Sequence, residues 1–202
     1  EWEASGIERK EDIRERFVEE IFTSEGMDWE RLFELIRLAR QDRELFLAVL
    51  GNTYFTFLGA LVTANVVLYG AGVLQVTATW NAYLMAAVGV GIGLGSLSAG
   101  YLSGNKIEYG LVPLGATGLT IFSAALARPG LSFFEAAALL ALVGFSGGFF
   151  MVPVAALIQH RPGEGAKGSV IAAANFLSFV GMFLAAGVYY LMSAVVRLSP
   201  PA

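Results

Sequence analysis

The chain has 202 residues, is 56% hydrophobic and only 15% charged, and has a mean hydropathy of +0.64. A soluble domain carries about 25% charged residues, so composition argues against a water-soluble fold. The formal net charge of −4, without a basic stripe, argues against nucleic acid as a partner. The absence of cysteine excludes disulfides and thiol chemistry. Eight of the 13 Lys and Arg precede Leu45, and the rest of the chain is almost bare of basic charge.

Residues 1–44 are polar. Within 29–43, Trp29, Leu32, Phe33, Ile36 and Ala39 fall at helical spacing on one side, with Glu30, Arg31, Glu34, Arg37 and Arg40 around the rest. This pattern predicts an amphipathic helix that lies on a lipid surface or packs on other protein. No signal peptide and no methionine opens the sequence, so the chain reads as a fragment.

Five apolar segments follow, each near the ~20 residues that a bilayer requires. They are expected at 45–70, 80–103, 109–127, 132–158 and 169–193, an all-α membrane architecture. The short connections at 71–79, 104–108, 128–131 and 159–168 force antiparallel neighbours. With residues 1–44 in the cytoplasm, eleven Lys and Arg fall on that side, and only Arg128 and Arg197 fall outside. The positive-inside rule therefore predicts a cytoplasmic N-terminus.

The first span carries Asn52, Thr56, Gly59 and Thr63, at spacings of 4, 3 and 4. All four share one helix face, which suits either helix packing or the wall of a cavity. Asn65 belongs to another face. The second span repeats small residues at Gly91, Gly95 and Ala99, a surface for close helix contact. The turn after it holds Lys106 and Glu108, both expected near the 159–168 loop.

The fourth span contains Gly147, Gly148 and Pro153. Proline removes one backbone hydrogen bond, and this cluster predicts a soft or kinked helix near mid-membrane. His160 and Arg161 follow in a loop. His160 is the single histidine; it cannot build a metal site alone, and no serine and aspartate accompany it for nucleophilic catalysis. The fifth span holds Asn175, a polar group of the kind that lipid tolerates only with a partner or a task. Ser178, Gly181 and Ala185 form a packing stripe beside it. No acidic residue lies inside spans one, two or five, so proton coupling is not expected from this part. No enzyme chemistry, cofactor or metal is expected.

Residues 100–115 (GYLSGNKIEYGLVPLG) resemble the hairpin between spans 8 and 9 of bacterial lysophospholipid transporters of the major facilitator superfamily. Residues 148–162 (GFFMVPVAALIQHRP) and 168–175 (GSVIAAAN) are similar to spans 10 and 11 of that family, and 42–51 (DRELFLAVLG) to the entrance of span 7. Gly104 stands where the wider superfamily carries an acidic residue, and the usual basic cluster is reduced to Lys106; both departures favour the lipid-transporting branch. The resemblance implies that residues 1–44 are the central cytoplasmic linker and 45–202 are spans 7–11 of twelve, the C-terminal half of the helix bundle. It implies a secondary transporter of the inner membrane that moves lysophospholipid inward for re-acylation. Its partners would be membrane lipid, the N-terminal half of the same transporter, and an acyltransferase that is fused or separate. It raises Asn52, Thr56, Thr63 and Asn175 as cavity residues. A permease for another small solute, or a membrane module of an acyltransferase/ligase polypeptide, are the alternatives.

Overall fold

A computed structural model describes residues 42–104, 106–163 and 167–194. Among these, the architecture is five α-helices and no strand: α1 Arg43–Leu68, α2 Ala78–Ser103, α3 Leu111–Leu126, α4 Phe133–His160 and α5 Lys167–Ala194. The expected amphipathic helix at 29–43 lies outside the described residues, apart from its last two positions. Those open α1.

Each helix boundary has a local cause. The Asp42 carboxylate caps α1 by accepting from the backbone N–H groups of Glu44 and Leu45, two of the donors a helix start leaves unpaired. At its other end α1 widens into a π-turn, Tyr69–Val73, where the Leu74 N–H donates to the Tyr69 carbonyl at 3.0 Å. Gly104 ends α2 with φ of 55°, a conformation that costs glycine nothing. A capping box starts α4: the Ser132 side chain accepts from the Glu135 N–H, and the Glu135 carboxylate accepts from the Ser132 N–H.

Among the described residues, four helical stretches are long and apolar enough to cross a membrane: Arg43–Val73, Ala78–Ser103, Phe133–His160 and Lys167–Met192. The third expected span is shorter than foreseen. Its helix has 16 residues, about 24 Å at 1.5 Å per residue, against a hydrocarbon core of about 30 Å. The turn through Gly110 and the Arg128-Pro129-Gly130 corner take up the apolar residues at either end.

The centre of the bundle is α4, which packs against α2, α3 and α1, while α5 packs chiefly on α1. Its contact with α2 is reciprocal. A Cβ at Gly91 or Gly95 would run into the backbone of Ala141 or Phe145 on α4. In return, one at Gly144 or Gly148 would run into the backbone of Val88 or Ser96 on α2. Only glycine lets the two backbones meet like this, and such contacts replace the missing hydrophobic drive between helices in lipid. The pair Gly147 and Gly148, expected to soften α4, are contact residues, and the helix runs unbroken through the buried Pro153.

Two apolar clusters bracket the bundle. Leu45, Ala48 and Val49 of α1 join Val154, Leu157 and Ile158 of α4 and Val170 and Ala174 of α5 at one end. Val66, Leu84, Ala136 and Leu140 join α1, α2 and α4 at the other. Beside the second cluster Trp80 meets Phe133 edge-on at 5.1 Å, with Tyr83 and Phe134 alongside. Aromatic rings gather in this way at a membrane–water boundary. The outer surface is apolar: Tyr101 is 90% exposed and Phe183 79%, as lipid-facing side chains are.

Candidate functional site

Between the two clusters α1 leaves its neighbours, and a cleft of about 1240 Å³ opens. All five helices line it. The α1 wall runs from Tyr54 to Leu68 and includes Thr56, Gly59 and Thr63; α4 adds Gly144, Gly147, Phe150 and Met151; α5 adds Met182 and Tyr189. A smaller groove of about 520 Å³ lies between α1 and α3, with Asn65 and Ser123 on its sides.

Among the described residues, no charged one lines the cleft. Its threonines are turned on their own helices: the hydroxyls of Thr56, Thr63 and Thr120 donate to the carbonyls of Asn52, Gly59 and Ala116 at 2.8, 2.8 and 2.9 Å. In lipid this satisfies a hydroxyl without a partner helix. The wall therefore offers carbon surface and very few free donors.

Thr56, Gly59 and Thr63, which share one helix face, all line the cleft. Asn52 does not line it. Its amide donates to the Ser178 hydroxyl at 2.7 Å, and that hydroxyl donates to the Ala174 carbonyl at 2.9 Å, which ties α1 to α5. Asn175 is exposed on α5 and is not a lining residue. It stands two turns from Met182, which does line the cleft. Gly91, Gly95 and Ala99 are buried on the α2–α4 contact.

Phe55, Phe150 and the two cleft methionines were not singled out from sequence. Aromatic and thioether side chains are too common in membrane spans to stand out. The Phe55 and Phe150 rings stack at 5.7 Å between centroids. Beyond them the cleft gives way to the packed cluster of Leu45, Val154 and their neighbours.

The polar end of the bundle carries an ion cluster among the described residues. Arg161 pairs with Asp42 through Nε and with Glu44 through Nη1, each at 2.7 Å. The Tyr109 hydroxyl donates to Glu44 at 3.1 Å. The Arg161 guanidinium thus joins the end of α4 to the start of α1, and Tyr109 adds the turn before α3. Hydrogen bonding to Arg161 holds the Asp42 carboxyl below its ordinary range and Arg161 above its own. Lys106 and Glu108 were expected against this loop. Both are exposed, as is His160, and among the described residues Asp42 and Glu44 supply the carboxylates that Arg161 pairs with. These sit on a helix start rather than on a turn, and a helix holds them in place.

The family described as Major Facilitator Superfamily matches residues 5–186. A lysophospholipid transporter LplT of Klebsiella pneumoniae subsp. pneumoniae is 31% identical over 166 residues, covering 81% of this chain and 41% of that protein. Proteins of the same name from Cronobacter sakazakii and Enterobacter sp. are 31% and 32% identical over 172 and 164 residues, covering 84% and 79% of this chain and 42% and 40% of theirs. The chain spans about two fifths of the length of these relatives. No solved structure matches it.

Proposed function

The chain belongs to the major facilitator superfamily, and from that premise we propose that it forms one wall of a secondary transporter that moves lysophospholipid across the bacterial inner membrane, toward the cytoplasmic leaflet, for re-acylation. The cleft carries the reading. Its surface is mostly hydrocarbon, no charge among the described residues lines it, and its threonine hydroxyls are bonded to their own helices. Such a wall suits an acyl chain and, with only the Tyr54, Tyr189 and Ser123 hydroxyls beside the threonines, offers a charged headgroup no opposite charge. Headgroup recognition then falls to the other half of the same transporter. The printed name of the relatives supports the substrate class.

In this reading two halves rock about a site near mid-membrane. The α2–α4 glycine contact keeps this half one body while it moves. Residues 1–44 serve as the linker on the cytoplasmic surface, with Arg161 and Asp42 on that side, and the Lys and Arg bias supports that orientation. An acyltransferase, fused or separate, takes the delivered lysolipid.

Reconstitution of the intact parent transporter in vesicles tests the proposal. Labelled lysophosphatidylethanolamine should move from the outer to the inner leaflet. Transport of a soluble sugar or drug, with no movement of lysolipid, would overturn it.

A further inference from the structure

Resting on the reading just given, we infer that Phe55, stacked on Phe150 and seated over Gly147, is the floor of the acyl-chain cleft and sets the chain length the transporter accepts. The two rings lie 14° from parallel with centroids 5.7 Å apart. They close the cleft where it meets the packed cluster of Val154 and its neighbours, since Gly51 lies against both Phe150 and Val154, at 3.6 and 3.9 Å from where its Cβ would be. The floor is fixed from the side as well. A Cβ on Gly147 would stand 3.1 Å from the Phe55 ring, so any side chain there must displace the ring.

The dimensions agree. From Phe55 to Leu68 the α1 wall rises about 20 Å at 1.5 Å per residue. A chain filling one leaflet of a core about 30 Å thick reaches about 15 Å. The remaining depth takes the glycerol unit toward the Leu68 end of the wall. The terminal methyl then meets the rings, and a longer chain meets them before its headgroup is seated.

The test uses the intact transporter in vesicles and a series of lysophosphatidylethanolamines that differ only in chain length. Phe55→Leu lowers the floor and should move the preferred length upward. Phe55→Trp raises it, and Gly147→Ala pushes the ring into the cleft, so both should move the preference to shorter chains. Each methylene gained or lost at the floor should change relative transport about fourfold. Intact transport with an unchanged length profile in all three variants overturns the inference. So does loss of transport at every length in Phe55→Leu and Phe55→Trp alike, because a floor moves the optimum and does not abolish it. If the unsubstituted transporter moves no lysolipid of any length, the lysolipid reading itself fails, and the inference falls with it.

Discussion

Asn52 on α1 donates its side-chain amide to Ser178 on α5 at 2.7 Å, and this bond makes an intramembrane asparagine a tie between helices. Asn52→Ala should lower stability by about 0.6–1.7 kcal/mol, the average and upper values for hydrogen bonds between membrane helices. Ser178→Ala should cost a similar amount, and the double variant less than the sum. Thermal unfolding in detergent measures all three.

Gly91 and Gly93 differ by two positions and should differ widely in tolerance. A Cβ at Gly91 meets the Ala141 carbonyl, whereas one at Gly93 meets nothing within 4 Å. Gly91→Val should abolish the monodisperse folded protein. Gly93→Val should keep it, within about 1 kcal/mol of the parent. Gel filtration and thermal unfolding of the two variants side by side decide the matter.

Thr63 faces the cleft, with its hydroxyl bonded to Gly59. Thr63→Lys puts a charge on a wall that has none. At the centre of a membrane helix a lysine costs about 2.5–3.5 kcal/mol of insertion, which a long apolar span tolerates, and an acyl chain laid on the wall must then desolvate the ammonium, so lysolipid affinity should fall by about tenfold while insertion survives. A binding isotherm with labelled lysolipid reads the loss.

The Asp42–Arg161 pair predicts an acid-sensitive contribution to stability. The folded-state pKa of Asp42 lies below its ordinary value of 3.8, chiefly through the hydrogen bond from Arg161. A depressed carboxylate stabilises the fold fully above its unfolded pKa and stops doing so as pH falls through the folded value. The contribution is therefore constant from neutral pH down to the ordinary carboxylate range and fades below it. Arg161→Gln should flatten that part of the profile. Asp42→Asn should do the same, and thermal unfolding as a function of pH would show both.

Much of this architecture was legible because lipid imposes a simple rule: long apolar runs become helices. The Thr56, Gly59 and Thr63 face was legible from helical period alone. The partners were not. Nothing local says that Gly144 and Gly148 answer Gly91 and Gly95, since a glycine in a greasy span carries no mark of its partner, and Gly148 read as softness. Asn52 looked like the start of the cavity stripe because it shares the stripe's phase; it is set apart by a serine 126 residues away. The Arg161 cluster joins Asp42 across 119 residues, and helix packing, not spacing, brings them together. The π-turn Tyr69–Val73 left no mark in the apolar pattern, because its residues are as apolar as those of the helix before it.

The reciprocal glycines also set an order of events during synthesis. α2 emerges complete at Ser103, but the backbone it must meet begins at Phe133. At about 5–20 residues per second the ribosome needs some seconds to supply that helix. For that interval the Gly91 and Gly95 face of α2 is open to lipid or to any other helix nearby. The half-bundle is vulnerable then, before α4 arrives, and a bystander helix with small residues in the right register would be its natural competitor.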